Sequence, residues 1–391
     1  MMPCPSCGHT DIRLFYEQAD VPSHSVLLFA TREEAVAYPR GSIALGFCHG
    51  CGFIANLAVD PDLQNYSHDC EETQGFSPRF REFADGLARE LVERHDIRGR
   101  TILEIGCGKA EFLAHMCELG PNRGIGIDPA AVPERVDPAI RDRIELIEDY
   151  FDERHLDLAA DVVVCRHTLE HIPRTGEFMR LVRASIGERD RTLVFFELPD
   201  MGRILEEAAF WDIYYEHCSY FTPGSLARLF RLTGFRVERL ETAYDDQYIL
   251  LEATPAPDGA PAEPLPGEDS VAETAAAVER FRTRLHEITG VWGDRLEAFR
   301  RDGRRAVVWG SGSKGVAFLT TLGRTGSIEY VVDVNPHRHG RFMPGTGQRI
   351  VAPDFLREYR PDVVIAMNPI YRAEISDELH RLGVDAELLA L

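Results

Sequence analysis

Lysine is almost absent: Lys109 and Lys314 are the only two in 391 residues, and the other 41 basic residues are arginines. Positive charge as a whole is scarce, with 43 Lys+Arg against 64 Asp+Glu and a formal net charge of −21. So acidic a surface repels phosphate backbones and anionic lipid, which argues against nucleic acid and membrane surfaces as partners. Long hydrophobic runs are missing too. No apolar stretch approaches the roughly 18 residues of a membrane-spanning helix, and the opening MMPCPSCGHT has no signal-peptide pattern. A cytoplasmic location is the expectation. The 44% of hydrophobic residues nevertheless excludes a disordered chain, and the length predicts two or three domains.

Nine cysteines are present, and four fall into two CxxC pairs, Cys4/Cys7 and Cys48/Cys51. In a reducing compartment such pairs read as metal ligands before disulfides. Two turns with two thiolates each supply a tetrahedral S₄ set suited to Zn²⁺, and with all four positions taken by sulfur the ion is structural. Glycine follows the second cysteine of each pair (C-P-S-C-G and C-H-G-C-G), where it permits positive φ while backbone N–H groups point at sulfur. Unrelated thiols or a redox pair are the competing reading.

Residues 1–70 hold these turns and show little regular periodicity, as expected of a small metal-stapled module. A helix is predicted over 76–95, opened by Ser77-Pro78. From 100 to 254, within a core domain expected over 71–254, β-rich runs (TILEIG, GIGID, IELIE, DVVVCR, TLVFFELP) alternate with helical stretches, the pattern of a doubly wound α/β sheet. The Pro-rich stretch 255–268 reads as a linker. Apolar residues stepping by three or four from Val271 to Phe299 predict a long helix over 270–300. It could seal the C-terminal unit onto the core or make a dimer. A second α/β unit with strands AVVWG, YVVDV and DVVIAM completes 269–391.

The run LEIGCGKAEFL reads as strand, Gly-rich turn and helix, a place where an open α/β sheet binds ligands. Asp128 follows about 20 residues on, placed to accept ribose hydroxyls. Asp149-Tyr150 after the third strand suits an adenine amine and ring face, and His167 with Glu170-His171 lies at the mouth of the site. NAD is the main alternative ligand, and an empty structural turn is the bland one. The succession E-x-G-x-G, D, E-D, L-E-H-I resembles a class I S-adenosylmethionine-dependent methyltransferase. The resemblance implies that Glu104 faces the donor's amino end and that Gly106 and Gly108 let its methionine part lie on the backbone. Ala110 stands where a third glycine is usual.

Residues 210–224 (FWDIYYEHCSYFTPG) crowd a Glu, a His and several tyrosines into one loop after the fifth strand. Such a loop suits proton abstraction: His217 as base, Glu216 acting directly or orienting it, Tyr214 or Tyr220 hydrogen-bonding a developing oxyanion. An aromatic segment that only packs on the donor site is the alternative. The two CxxC turns, YEHCSYF, PGTGQRIVAP and MNPIYRAEI together resemble the three-domain sugar-nucleotide C-methyltransferases, which act on keto-deoxysugars carried on thymidine diphosphate. That family joins an N-terminal zinc-binding module to a Rossmann-like methyltransferase core and a C-terminal Rossmann-like domain. By resemblance His217 is the base, assisted by Glu216, Tyr214 and an earlier tyrosine matched best by Tyr66. Departures are NYSHDCEETQGFS in place of a serine-rich stretch, and Tyr215 in place of a common His.

The run AVVWGSGSKGVAFL repeats strand, GxGxxG turn and helix, with Asp333 about 20 residues on, so motif alone suggests NAD. Phosphate binding at the helix N-terminus, aided by Lys314, does not select the ligand. The resemblance implies a unit that holds the nucleotide-diphosphate end of the sugar donor, with Gly312, Lys314, Asp333, Asn335, Asn368 and Tyr371 along the cleft. A purely structural unit is the bland alternative. Two readings compete with carbon methylation: an O- or N-methyltransferase of a natural-product or cell-surface precursor, and an NAD-binding oxidoreductase or sensor.

Overall fold

The computed structural model describes residues 3–63, 70–257, 263–322, 326 and 328–391, which form three sheets. Near the N-terminus β1 (Ile12–Pro22), β2 (Arg40–Cys48) and β3 (Ile54–Asn56) pair antiparallel. These strands form where the sequence shows little regular periodicity. The register of β1 slips between Leu14 and Tyr16 and again between Gln18 and Val21. Each bulge switches the face that the following side chains occupy, so no period-two pattern survives in the sequence.

The five core strands fall where their β-rich runs predict: β4 (Thr101–Ile105), β5 (Arg123–Ile127), β6 (Ile144–Ile147), β7 (Val162–Arg166) and β8 (Leu193–Pro199). They lie parallel in the order β6-β5-β4-β7-β8. Winding reverses between β4 and β7, which opens a crevice at their carboxyl ends. Next in the chain, β9 (Ser219–Tyr220) leaves this sheet and pairs with β3, Ile54 opposite Tyr220 and Ala55 opposite Ser219. The segment YEHCSYF is thereby fastened to the N-terminal sheet. A hairpin of β10 (Phe235–Ala243) and β11 (Tyr248–Pro255) completes the core, β11 running antiparallel to β8.

The third sheet is wholly parallel, in the order β14-β13-β12-β15-β16. Its strands are β12 (Ala306–Trp309), β13 (Ile328–Val332), β14 (Arg349–Val351), β15 (Val363–Ala366) and β16 (Glu387–Ala390). Its winding reverses between β12 and β15, beside the second Gly-rich turn. The chain is thus an α/β protein with an N-terminal four-cysteine cluster, a mixed Rossmann-like core sheet and a C-terminal parallel sheet.

Two helices hold these parts together. The helix Pro78–Arg94 starts on Ser77, whose side chain accepts from Phe80 N, and Ser77 Oγ also donates to Glu374 of the C-terminal unit at 2.9 Å. The helix Val271–Arg301 opens with a capping box between Ser270 and Glu273. Its Phe281 packs edge-on against Phe15 and Tyr16 of β1 at 6.0 and 6.1 Å, and its Trp292 against Phe318 at 5.4 Å. Its apolar stripe is therefore covered within the chain. Of the Pro-rich stretch, residues 258–262 lie outside the described residues, while Glu268 beyond them pairs with Arg231. Among the described residues no helix is long and apolar enough to cross a membrane.

Candidate active site

The four cysteines come together as their spacing requires. Cys4 Sγ lies 3.8 Å from Cys51 Sγ and Cys7 Sγ 3.7 Å from Cys48 Sγ. A tetrahedral ion with Zn–S bonds of about 2.3 Å places its sulfurs about 3.8 Å apart, so the cluster fits such an ion. Gly8 and Gly52 take positive φ (79° and 77°), and their N–H groups close the turns onto the carbonyls of Cys4 and Cys48. The amides that face sulfur are those of Ser6 and Cys7 at Cys4, and of Gly50 and Cys51 at Cys48. The cluster also docks on the core, because Gly176 N donates to Pro5 O at 3.0 Å and Arg228 Nε to Cys51 O at 2.8 Å.

One cavity of about 870 Å³ joins the N-terminal module, the core crevice and the C-terminal Gly-rich turn. On the core side it is lined by Glu104, Gly106, Gly108, Asp128, Asp149, Tyr150 and His167. Gly106 has φ +73°, and a Cβ there would run into Thr168 Oγ1. Gly106→Ala therefore should weaken S-adenosylhomocysteine binding by roughly tenfold or more, about 1–3 kcal/mol of strain and clash. Calorimetric titration checks this; unchanged affinity would contradict the account of the turn. Ala110 also lies in the left-handed region (φ 60°) at the start of the following helix, the backbone state that suits the glycine it replaces.

The polar groups of this half are pre-set. Asp128 accepts from Gly108 N at 2.9 Å and Ala130 N at 2.7 Å, and Lys109 Nζ donates to Ala130 O at 2.7 Å. Glu104 accepts from Leu113 N at 3.1 Å, and burial pushes its carboxyl up to about 8. Glu72 reaches over Gly108, 3.8 Å from Lys109, and enclosure raises it to about 7. Tyr150, 54% exposed, also lines the cavity. His167 has φ +49° and sits between Glu197 (3.1 Å) and Glu170 (3.7 Å). Burial opposes its charge, but those carboxylates prevail and raise it to about 9.

The loop 210–224 forms the cavity wall opposite. Tyr214 OH is 2.8 Å from His217 Nε2, with ring centroids 4.1 Å apart. His217 is buried, its Nδ1 has no hydrogen-bond partner, and Glu170 Oε1 lies 4.0 Å from its Nε2. Burial, then the positive potential of His171, His167 and Lys314, holds its pKa well below the usual range. The sequence left two roles open for Glu216, acting directly or orienting His217, and its hydrogen bonds among the described residues include none to His217. Glu216 Oε1 accepts from Ser25 N (2.5 Å) and Ser25 Oγ (2.6 Å), with His24 Nδ1 at 3.4 Å. Tyr215 points the other way, fully buried against Gly41 with its hydroxyl 2.8 Å from Asp60 N. Its replacement of a common His therefore concerns the N-terminal interface. Tyr220 is not among the lining residues; it is held on β9 with its hydroxyl toward Tyr214 O at 3.4 Å. Tyr66 lies outside the described residues.

At the second turn Gly310 has φ +114°, and Gly312, Lys314, Asp333, Asn335, Asn368 and Tyr371 all line the cavity. Several are already engaged. Asp333 accepts from Ser311 N (2.9 Å) and Ser311 Oγ (2.5 Å), and Lys314 pairs with Asp212 of the loop. Asn335 donates to Glu71 at 3.0 Å, Asn368 exchanges hydrogen bonds with Gln247, and Tyr371 meets the Tyr244 hydroxyl at 2.8 Å. Sequence reasoning missed Glu72, Thr168, Arg203, Asp212, Gln247 and Tyr248 in this lining. Glu72 comes from the segment before the first core helix, Thr168 from just after β7, Arg203 from the helix Met201–Glu207, Asp212 from the loop 210–224, and Gln247 and Tyr248 from the hairpin.

Comparison with known proteins agrees with this architecture. The family described as a methyltransferase domain matches residues 77–240, and that described as a C-methyltransferase C-terminal domain matches 265–386. C-methyltransferase NovU of Streptomyces niveus is 26% identical over 399 residues, covering 96% of this chain and 91% of its own. The mitochondrial ubiquinone biosynthesis O-methyltransferase of Schizosaccharomyces pombe is 30% identical over 101 residues, 24% of this chain and 37% of its own. Among solved structures, N,N-8-amino-8-demethyl-D-riboflavin dimethyltransferase (RosA) from Streptomyces davawensis aligns at 19% identity and TM-score 0.37, over 45% of this chain and 56% of its own. The chain is an S-adenosylmethionine-dependent methyltransferase. More narrowly, its C-terminal part matches a C-methyltransferase domain, and along its whole length the chain is related to a C-methyltransferase.

Proposed function

We propose that this enzyme methylates a carbon beside a ketone in a nucleotide-linked sugar. The observation that carries the reading is the single cavity in which the donor turn, the Tyr214–His217 pair and the second Gly-rich turn face one another. S-adenosylmethionine supplies a sulfonium-activated methyl group. The chain's own task is to make a carbon nucleophile, because a proton beside a ketone is too weakly acidic to leave unaided. His217 is neutral at ordinary pH, the form a base needs. With Nε2 committed to the Tyr214 oxygen, Nδ1 takes the α-proton. Tyr214 then stabilises the imidazolium or holds the enolate oxygen. The acceptor's diphosphate lies toward Gly312 and Lys314, its base toward Asn368 and Tyr371, and zinc in the cysteine cluster stays structural.

The competing readings fit less well. Oxygen or nitrogen methylation would use the same His217, but gives no role to a C-methyltransferase C-terminal domain. A dinucleotide at the second turn leaves the Tyr214–His217 pair beside the first turn without a role. The test is a thermal-shift panel of S-adenosylhomocysteine alone and then with TDP, UDP, GDP, ADP or NAD. A further rise with one nucleoside diphosphate supports the reading, since a ligand of the native state raises Tm by mass action. No rise with any of them sinks the sugar-nucleotide assignment.

The donor half carries a pH prediction. Glu72 and Glu104, raised to about 7 and 8, are largely protonated in the free enzyme at pH 6. A ligand bearing an ammonium group favours their charged forms, so S-adenosylhomocysteine binding should tighten from pH 6 to 8 and release protons. For the free protein the sign is opposite, because raised carboxyls lower stability as pH climbs from about 4.5 toward 8. Titration calorimetry in buffers of different ionisation enthalpy measures the release, and none at pH 6.5 would contradict the assignment.

A further inference from the structure

The catalytic segment is wired to both outer sheets through one side chain, Ser25, which sits in the chain just after β1. Ser25 is 1% exposed, and its N–H and Oγ–H both reach Glu216 Oε1. Its Oγ is also 2.7 Å from Ser313 Oγ, the first residue of the helix that follows the second Gly-rich turn. A hydroxyl can donate once and accept as well, so the three groups form one directed chain: Ser313 Oγ–H to Ser25 Oγ, then Ser25 Oγ–H to Glu216. Glu216 Oε2, at the other end of the carboxylate, is buried and has no hydrogen-bond partner. The N-terminal module, the core and the C-terminal unit each supply one member.

We propose that Ser25 is a positioning residue: it fixes the Glu216 carboxylate so that Oε2 meets a hydroxyl of the acceptor, and it links that carboxylate to the turn proposed to hold the diphosphate. The inference rests on the proposed function for the identity of the acceptor but not for the hydrogen-bond chain itself. It gives the N-terminal module a part in the chemistry, since without its docking Ser25 would not reach Glu216. Burial pushes the Glu216 carboxyl up, and the two Ser25 donors oppose that. The other titratable groups facing it are His24 at 3.4 Å and His171, whose Nδ1 bonds the Glu216 carbonyl at 3.0 Å. Tyr38, Tyr214 and Tyr220 also feel its charge.

The experiment is a ¹³C NMR titration of carboxyl-labelled protein, with the Glu216 signal assigned through Glu216→Gln. Ser25→Ala removes one donor to the charged form and should raise the Glu216 pKa by about one unit, the size of one hydrogen bond. Ser25→Thr keeps the hydroxyl and should restore it. Ser313→Ala should move it less, and the double variant should match Ser25→Ala alone, because members of one chain are not additive. Turnover of a nucleotide-linked keto sugar is the second readout, with kcat lowered in Ser25→Ala and donor KM unchanged. A Glu216 pKa that ignores Ser25→Ala overturns the proposal even if carbon is methylated. A pKa that moves while no keto sugar turns over leaves the Ser25 chain standing and overturns the function.

Discussion

His217→Asn should lower kcat by about 10²- to 10⁴-fold, the usual contribution of a positioned base, while S-adenosylhomocysteine binds as before. The reasoning is geometric. Tyr214 holds one ring nitrogen at 2.8 Å, burial and neighbouring cations keep the ring neutral, and Nδ1 is the nitrogen without a partner. Asn keeps much of the volume and one polar contact but cannot accept a proton at neutral pH. Tyr214→Phe should cost less, because it loosens the ring without removing the base. Steady-state kinetics with titration calorimetry separates the two roles. A His217→Asn enzyme with kcat within threefold of wild type would remove His217 from the mechanism.

The second large effect is expected at the cysteine cluster, some distance from the chemistry. Structural zinc contributes roughly 10–16 kcal/mol of apparent folding free energy in small modules at neutral pH. Cys4, Cys48 and Cys51 are buried in one apolar cluster with Phe53, Phe221 and Leu226. Stripping the metal with a chelator, or Cys48→Ser, should therefore unfold the N-terminal sheet and free β9 from β3. Ser25 then leaves Glu216, the cavity opens to water, and methyl transfer should fall by about 100-fold or more, as when a 1 Å misplacement spoils a reacting geometry. Donor binding should change little, because Gly106, Gly108 and Asp128 lie in turns that follow core strands β4 and β5. Metal analysis should find one zinc per chain in the active protein, and a metal-free chain with full activity would contradict this role.

The chain's motifs and its structure agree wherever function rests on local backbone geometry. Both Gly-rich turns, both CxxC turns and the strands feeding them are legible because a turn that approaches a ligand needs glycine at fixed positions. The long helix is legible for a similar reason: its apolar stripe repeats every three or four residues. The bulged β1 was not, since its slips erase alternation, nor was β9, two residues that pair with a strand from another sheet. Glu216 shows the same limit within the site. The sequence left it acting directly or orienting His217, and its partner Ser25 lies 191 residues away. Only the docking of the N-terminal sheet onto the core brings them together, and no local pattern records a docking.

The most direct test of carbon methylation is hydrogen exchange without methyl transfer. The wild-type enzyme is incubated in D₂O with S-adenosylhomocysteine and a thymidine-diphosphate keto-deoxysugar, and the sugar is followed by proton NMR. Loss of the signal from the carbon beside the ketone, faster than in buffer and absent with His217→Asn, is the predicted result. Retention of that carbon's proton throughout, with exchange no faster than in buffer alone, would contradict it.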